Sequence, residues 1–187
     1  IYCGLTYFIP FLNKIYMLPA TAVGMYGIVN QYGLKMIGGP VGGFMSDKVH
    51  KSAAKHIRVG FVVCIVAMAV FLMIPHEALG QKGMWMLGAV CTLTFGAIVF
   101  TMRAVFFAPM DEVKVPREIT GAAMSMASLI IYLPNTFAYV MYGNFLDRFP
   151  GMTGFRIVFS VMIGWAVVGV GVSTFLIRRI KKHQNNA

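Results

Sequence analysis

RVGFVVCIVAMAVFLMI, residues 58–74, carries one charge, at its first position, and is apolar from there to its end. As a helix it rises about 26 Å at 1.5 Å per residue, close to the roughly 30 Å hydrocarbon thickness of a bilayer. On either side of it lie further apolar runs, at about 1–12, 20–46, 84–110, 119–142 and 155–177, separated by short charged loops. The run at 1–12 would rise only about 18 Å and reads as the end of a truncated helix. The other runs are long enough to cross a membrane, so the class is an all-α membrane protein.

Composition agrees. Hydrophobic residues make up 58% of the chain and charged residues 12%, with mean hydropathy +0.74. A soluble domain carries about 25% charged residues, so that class is excluded. The net charge of +10 would point to nucleic acid in a soluble protein. Here the basic residues sit in loops and in a tail at 178–187, beside apolar spans, where membrane orientation explains them. No nucleic-acid partner is expected; the lipid bilayer is. Cys3, Cys64 and Cys91 fall in separate apolar runs without metal-ligand spacing and read as small buried hydrophobes. The sequence has no HExxH, no GxSxG and no histidine inside a span, so neither enzyme chemistry nor a metal or cofactor is expected.

Lys48, Lys51, Lys55 and Arg58, Lys114 and Arg117, and Arg178, Arg179, Lys181 and Lys182 all fall on one side of the membrane. Lys14, Lys82, Arg148 and Arg156 fall on the other. By the positive-inside rule the richer side is cytoplasmic, and with it the C-terminus. The runs at 57–74 and 155–177 are nearly free of polar side chains, whereas 20–46, 84–110 and 119–142 carry amides, tyrosines and two cations. Polar side chains in lipid are costly unless they face protein or water, so the first two read as outer scaffold and the others as facing a polar interior.

The end of the second run reads GGPVGGFMSDKVHKS. It resembles the loop motif of the major facilitator superfamily through Gly43, Asp47, Lys48 and Lys51, with His50 standing where that pattern has a glycine. Glu112, Pro116 and Gly121 resemble the family's acidic, proline and glycine pattern at a second junction. The resemblance implies a six-helix half of a twelve-helix fold, its first helix truncated. The short basic tail makes it the C-terminal half, partnered by a missing N-terminal half. It also implies that Gly43, Asp47, Lys48 and Lys51 form a latch that breaks and re-forms between states. Physically, Asp47 sits at the C-terminal end of its helix, where the macrodipole disfavours an anion, so it should face a cation or another helix's N-terminus.

Lys35 lies twelve residues before Asp47. That is about 18 Å along the helix, beyond the reach of a snorkelling stem. Gln31 is one turn away on the same face and Asn30 close by, which predicts an anion-binding cluster. Arg103 is a second candidate, its planar fork suited to phosphate, sulfonate or carboxylate. Tyr132, Asn135, Tyr139 and Tyr142 form one helical stripe that either packs or lines a cavity.

Asp47, Glu77, Asp111, Glu112, Glu118 and Asp147 all lie at loops or span ends, so every intramembrane charge is positive. The reading this favours is a secondary transporter moving a small organic anion by alternating access. Its alternatives are a drug, cation or neutral-sugar transporter of the same superfamily, and a non-transporting membrane sensor or assembly subunit.

Overall fold

The computed structural model describes residues 2, 4–15, 17–73, 81–113 and 115–185. Cys3, Glu77 and Lys114 lie outside the described residues. What is described is helical almost throughout, with no strand among the described residues. The helices are α1 (Gly4–Lys14), α2 (Ala20–Ile28), α3 (Leu34–Phe44), α4 (Ala53–Met73), α5 (Gln81–Ala104), α6 (Pro109–Glu112), α7 (Arg117–Arg148) and α8 (Met152–Asn185). Among the described residues, four stretches are long and apolar enough to cross a membrane: Ala53–Met73, Met86–Ala104, Glu118–Arg148 and Met152–Lys182. This is an all-α membrane protein.

Residues 20–50 form one interrupted rod. Pro19 stands at its start with an extended backbone, and π-turns at Val29–Gly33 and Met45–His50 interrupt α2 and α3 without breaking the right-handed path. The rod rises about 46 Å if each residue contributes an α-helical step. It stops at Lys51, whose φ of 51° puts it in the left-handed region. Gly151, at φ 79°, makes the tight connection between α7 and α8, a conformation that costs glycine nothing.

The rod packs along α5 through a face without side chains. A Cβ on Gly38 would lie 2.7 Å from that of Phe100, and one on Gly42 would collide with the Thr101 carbonyl. Small residues let two membrane helices approach until their backbones touch, and dispersion then holds them, since lipid is as apolar as the packed side chains.

Short as it is, α1 is the centre of the fold. Leu5, Phe11 and Leu12 are fully buried. The Phe11 ring meets Phe71 of α4 at 5.4 Å and Phe155 and Phe159 of α8 at 5.0 and 5.3 Å, all near edge-to-face. Phe8 meets Phe95 of α5 at 5.3 Å in the same geometry. Such pairs contribute about 0.5–1.5 kcal/mol each beyond burial. The scaffold helices also differ from the expectation. α4 and α8 pack against each other and carry much of the core, while Tyr142 is the only buried residue among those described in α7. The residues read as a tail continue α8 as helix to Asn185.

The joint between the rod and α4 is closed by an acid from far along the chain. Glu112, at the end of α6, accepts a hydrogen bond of 2.9 Å from the Ser52 hydroxyl and another from the Ala53 amide. Ser52 in turn accepts from the Lys55 amide at 3.3 Å, so the first turn of α4 is capped twice. Beside it, His50 Nδ1 lies 3.2 Å from both the Met45 carbonyl and His56 Nδ1.

Candidate functional site

A groove of about 740 Å³ opens between α1 and the rod. Ile9, Pro10 and Asn13 form the α1 wall; Ala20, Val23, Gly24, Gly27, Ile28, Gln31, Tyr32 and Lys35 form the other. The rod's contribution follows helical spacing, with Gln31 and Lys35 four residues apart on one face. Gly24 and Gly27 line it without side chains, and a Cβ on Gly27 would lie 3.3 Å from Ile9 Cδ1 of α1. The result is a largely apolar trough whose polar residues on the rod, Gln31, Tyr32 and Lys35, come last along it, with Asn13 on the α1 wall. Lys35 and Tyr32 are exposed and Gln31 is half-buried. At the α1 side Asn13 donates to the Leu18 carbonyl at 3.2 Å, which fixes its amide beside the opening.

Chemically, an ammonium beside an amide and a phenol, above an apolar floor, can bind an anionic head and the carbon body attached to it. An isolated lysine in lipid costs about 2.5–3.5 kcal/mol, a cost that an anionic occupant offsets.

Other residues singled out in the sequence lie elsewhere. Asn30 turns away from the groove: it is fully buried on the α5 side of the rod, where a Cβ on Gly96 would run into its carbonyl oxygen. Neither its Oδ1 nor its Nδ2 has a hydrogen-bond partner. The Arg103 guanidinium stacks 4.2 Å over the ring of Tyr2, with Nη1 buried and unpartnered. The tyrosine stripe divides. Tyr142 is buried with its ring 5.6 Å from Tyr7, while Tyr7 donates to the Tyr139 carbonyl at 3.0 Å. Tyr132 is 49% exposed and Asn135 half-buried, and neither lines the groove. Asp47, Lys48 and Lys51 are exposed at the end of the rod, and a Cβ on Gly43 would meet nothing within 4 Å. At this joint the acid that engages another helix's N-terminus is Glu112.

Tyr32 and Asn13 are groove residues that the sequence reading did not single out. Tyr32 follows Gln31 directly and was within reach of the same argument. Asn13 follows an apolar run and gives no signal until α1 is docked on the rod.

Comparison with known proteins gives relatives and no assigned chemistry. The chain is 50% identical over 184 residues to the inner membrane protein YihN of Escherichia coli (strain K12), covering 98% of this chain and 43% of that one. It is 27% identical over 180 residues to the inner membrane protein YqcE of the same organism, covering 95% and 41%. A Mycoplasma pneumoniae protein is 30% identical over 108 residues, 53% of this chain and 48% of that one. The chain spans less than half the length of each of these relatives. No family model matches it, and no solved structure does. These findings overturn the facilitator resemblance: no family model carries the pattern into this chain, and the names of YihN and YqcE give a location and no activity. The reading as a six-helix half of such a transporter falls with it, and Gly43, Asp47, Lys48 and Lys51 take no latch role from that source. The relatives and the apolar helices together make this an inner-membrane protein.

Proposed function

We propose that the groove between α1 and the rod binds a small organic anion, and that the protein carries this solute across the inner membrane by alternating access. The observation that carries the reading is the placement of Lys35 and Gln31 in a largely apolar groove of about 740 Å³. That lies within the roughly 300–1,000 Å³ common for small-molecule sites, which are largely apolar with a few placed polar groups. Among the described residues the acidic ones sit at loops and helix ends, which offers Lys35 no intramembrane carboxylate from among them. The basic ends of the helices, with Arg178, Arg179, Lys181 and Lys182 on α8, face the cytoplasm in this reading. Arg103 and the tyrosines of α7 take no part in the first contact with solute.

The test is a thermal melt of the purified protein in detergent. Phosphorylated sugars, sulfonates, carboxylates and neutral sugars are compared for wild type and Lys35→Ala. A ligand at about 100 times its dissociation constant stabilises the folded state by about 2.7 kcal/mol, which a melt resolves. Anions alone are expected to raise the melting temperature of wild type, and Lys35→Ala to lose that shift while melting normally without ligand. Neutral or cationic solutes that stabilise both forms equally would remove the anion from the reading. Binding without uptake into proteoliposomes would make the protein a sensor.

A further inference from the structure

The opposite side of the same turn of the rod holds a cluster that the groove does not use. Asn30 is fully buried with both amide atoms unpartnered. One turn earlier the Tyr26 hydroxyl is also buried, beside Thr92 but in no well-formed hydrogen bond. Thr92 is 2% exposed and gives its hydroxyl proton to the Gly88 carbonyl at 2.7 Å, so its lone pairs remain available. One turn further along α5, Gly96 leaves the space into which the Asn30 amide projects. Two tiers therefore face each other across the seam, Tyr26 with Thr92 and Asn30 with Gly96. The backbone departs from α-helical geometry at the same turn. The Leu34 amide bonds to the Val29 carbonyl, five residues back, so the Asn30 carbonyl loses the donor that an α-helix would give it.

An unpaired buried amide costs about 1–3 kcal/mol, so a seam keeping several such atoms points to something that pairs with them. Of these atoms the Asn30 Oδ1 and the Tyr26 and Thr92 hydroxyl oxygens can ligate a cation, whereas the Asn30 Nδ2 only donates; no carboxylate, thiolate or imidazole stands among them. A divalent hard cation needs carboxylates, and a transition metal prefers nitrogen or sulfur. A bound water would satisfy the same atoms, but would not distinguish one alkali cation from another.

We infer that the seam between the Val29–Gly33 turn and α5 is a binding site for a sodium-sized monovalent cation, held by Asn30, Thr92 and Tyr26. The site stands apart from the anion groove. If that groove also binds as proposed, Asn30 and Gln31 place the two ligands on opposite sides of one turn, and the cation offsets the charge of the anion.

The experiment melts the purified protein with no organic solute present. Sodium, lithium, potassium or choline chloride is varied at constant ionic strength, alongside Asn30→Leu and Thr92→Val. A saturable rise in melting temperature with sodium, absent with potassium and choline, is expected for wild type. Asn30→Leu removes both unpaired atoms at similar volume, so it is expected to melt no lower than wild type in choline and to lose the sodium response. Thr92→Val keeps the shape and removes one oxygen. Its half-saturating sodium concentration is expected to rise about tenfold, equivalent to about 1.4 kcal/mol. The inference is overturned if wild type responds alike to all four salts, which leaves water as the occupant, or if both variants keep the wild-type sodium response. Because no anion is added, failure of the groove reading leaves this result unaffected.

Discussion

Replacing Gly42 with leucine is expected to leave little folded protein. The side chain would enter the seam where the rod touches α5, against the Thr101 carbonyl and Cα and the Ala104 Cβ. Overpacking costs about 1–3 kcal/mol when neighbouring side chains can shift, and here two of the three nearest atoms are backbone. The cost should therefore be about 3 kcal/mol or more, since relief requires the whole helix to move away. That is a large part of a marginal stability of roughly 5–15 kcal/mol. Gly42→Ala should show a smaller loss of the same sign. Gly43→Ala is the control: its added carbon meets nothing within 4 Å, and the substitution removes a helix-interior glycine. It is expected to melt at or slightly above wild type. The comparison is read by fluorescence-detected size exclusion after a temperature series. A Gly42→Leu protein that melts with wild type would mean that the two helices do not cross there.

The same seam shows where sequence reading stopped. That residues 58–73 form a membrane helix follows from composition, because so long an uncharged run suits the bilayer. The interior of the rod was harder. Asn30, Gln31 and Lys35 read as one cluster, yet adjacent helical residues lie about 100° apart and need not share a face. The π-turn at Val29–Gly33 shifts the helical phase further, and no local signal in VNQYG announces it. So Gln31 and Lys35 reach the groove while Asn30 goes to α5. The regular spacing of Tyr132, Asn135 and Tyr139 did put them on one stripe, but spacing cannot say whether a stripe faces a neighbour, lipid or a cavity. α1 is the plainest case. Its length argued against a spanning helix and said nothing of its place, which depends on rings from α4, α5 and α8 meeting Phe8 and Phe11. Contacts of that kind join segments far apart in the chain and leave no periodicity to read.

Removing the Glu112 carboxylate is the second large effect expected, and it bears on how the rod is tied to the rest of the bundle. Glu112 reaches across 60 positions to accept from Ser52 at 2.9 Å and from the Ala53 amide. It thereby satisfies an amide that the start of a helix leaves without a partner, and places an anion at the positive end of the α4 dipole. Hydrogen bonds to a charged group contribute about 1.5–3 kcal/mol, and losing an N-terminal cap costs about 0.5–2 kcal/mol. These describe overlapping contacts and do not add. Glu112→Ala should therefore lose about 2 kcal/mol, and Glu112→Gln, which keeps one acceptor oxygen and no charge, about half of that. Asp111→Asn changes an exposed neighbour and is expected to melt with wild type. Hydrogen exchange adds a local readout: in Glu112→Ala, residues 51–56 should lose protection before the centre of α4 does. Uniform loss along α4 would show instead that the carboxylate stabilises the bundle generally, and equal melting of all four proteins would show that the contact contributes nothing. If the local pattern is found, the end of α6 restrains the turn at Lys51 through one side chain. Any tilt of the rod that opens or closes the groove above it must then either carry α6 along or break two hydrogen bonds.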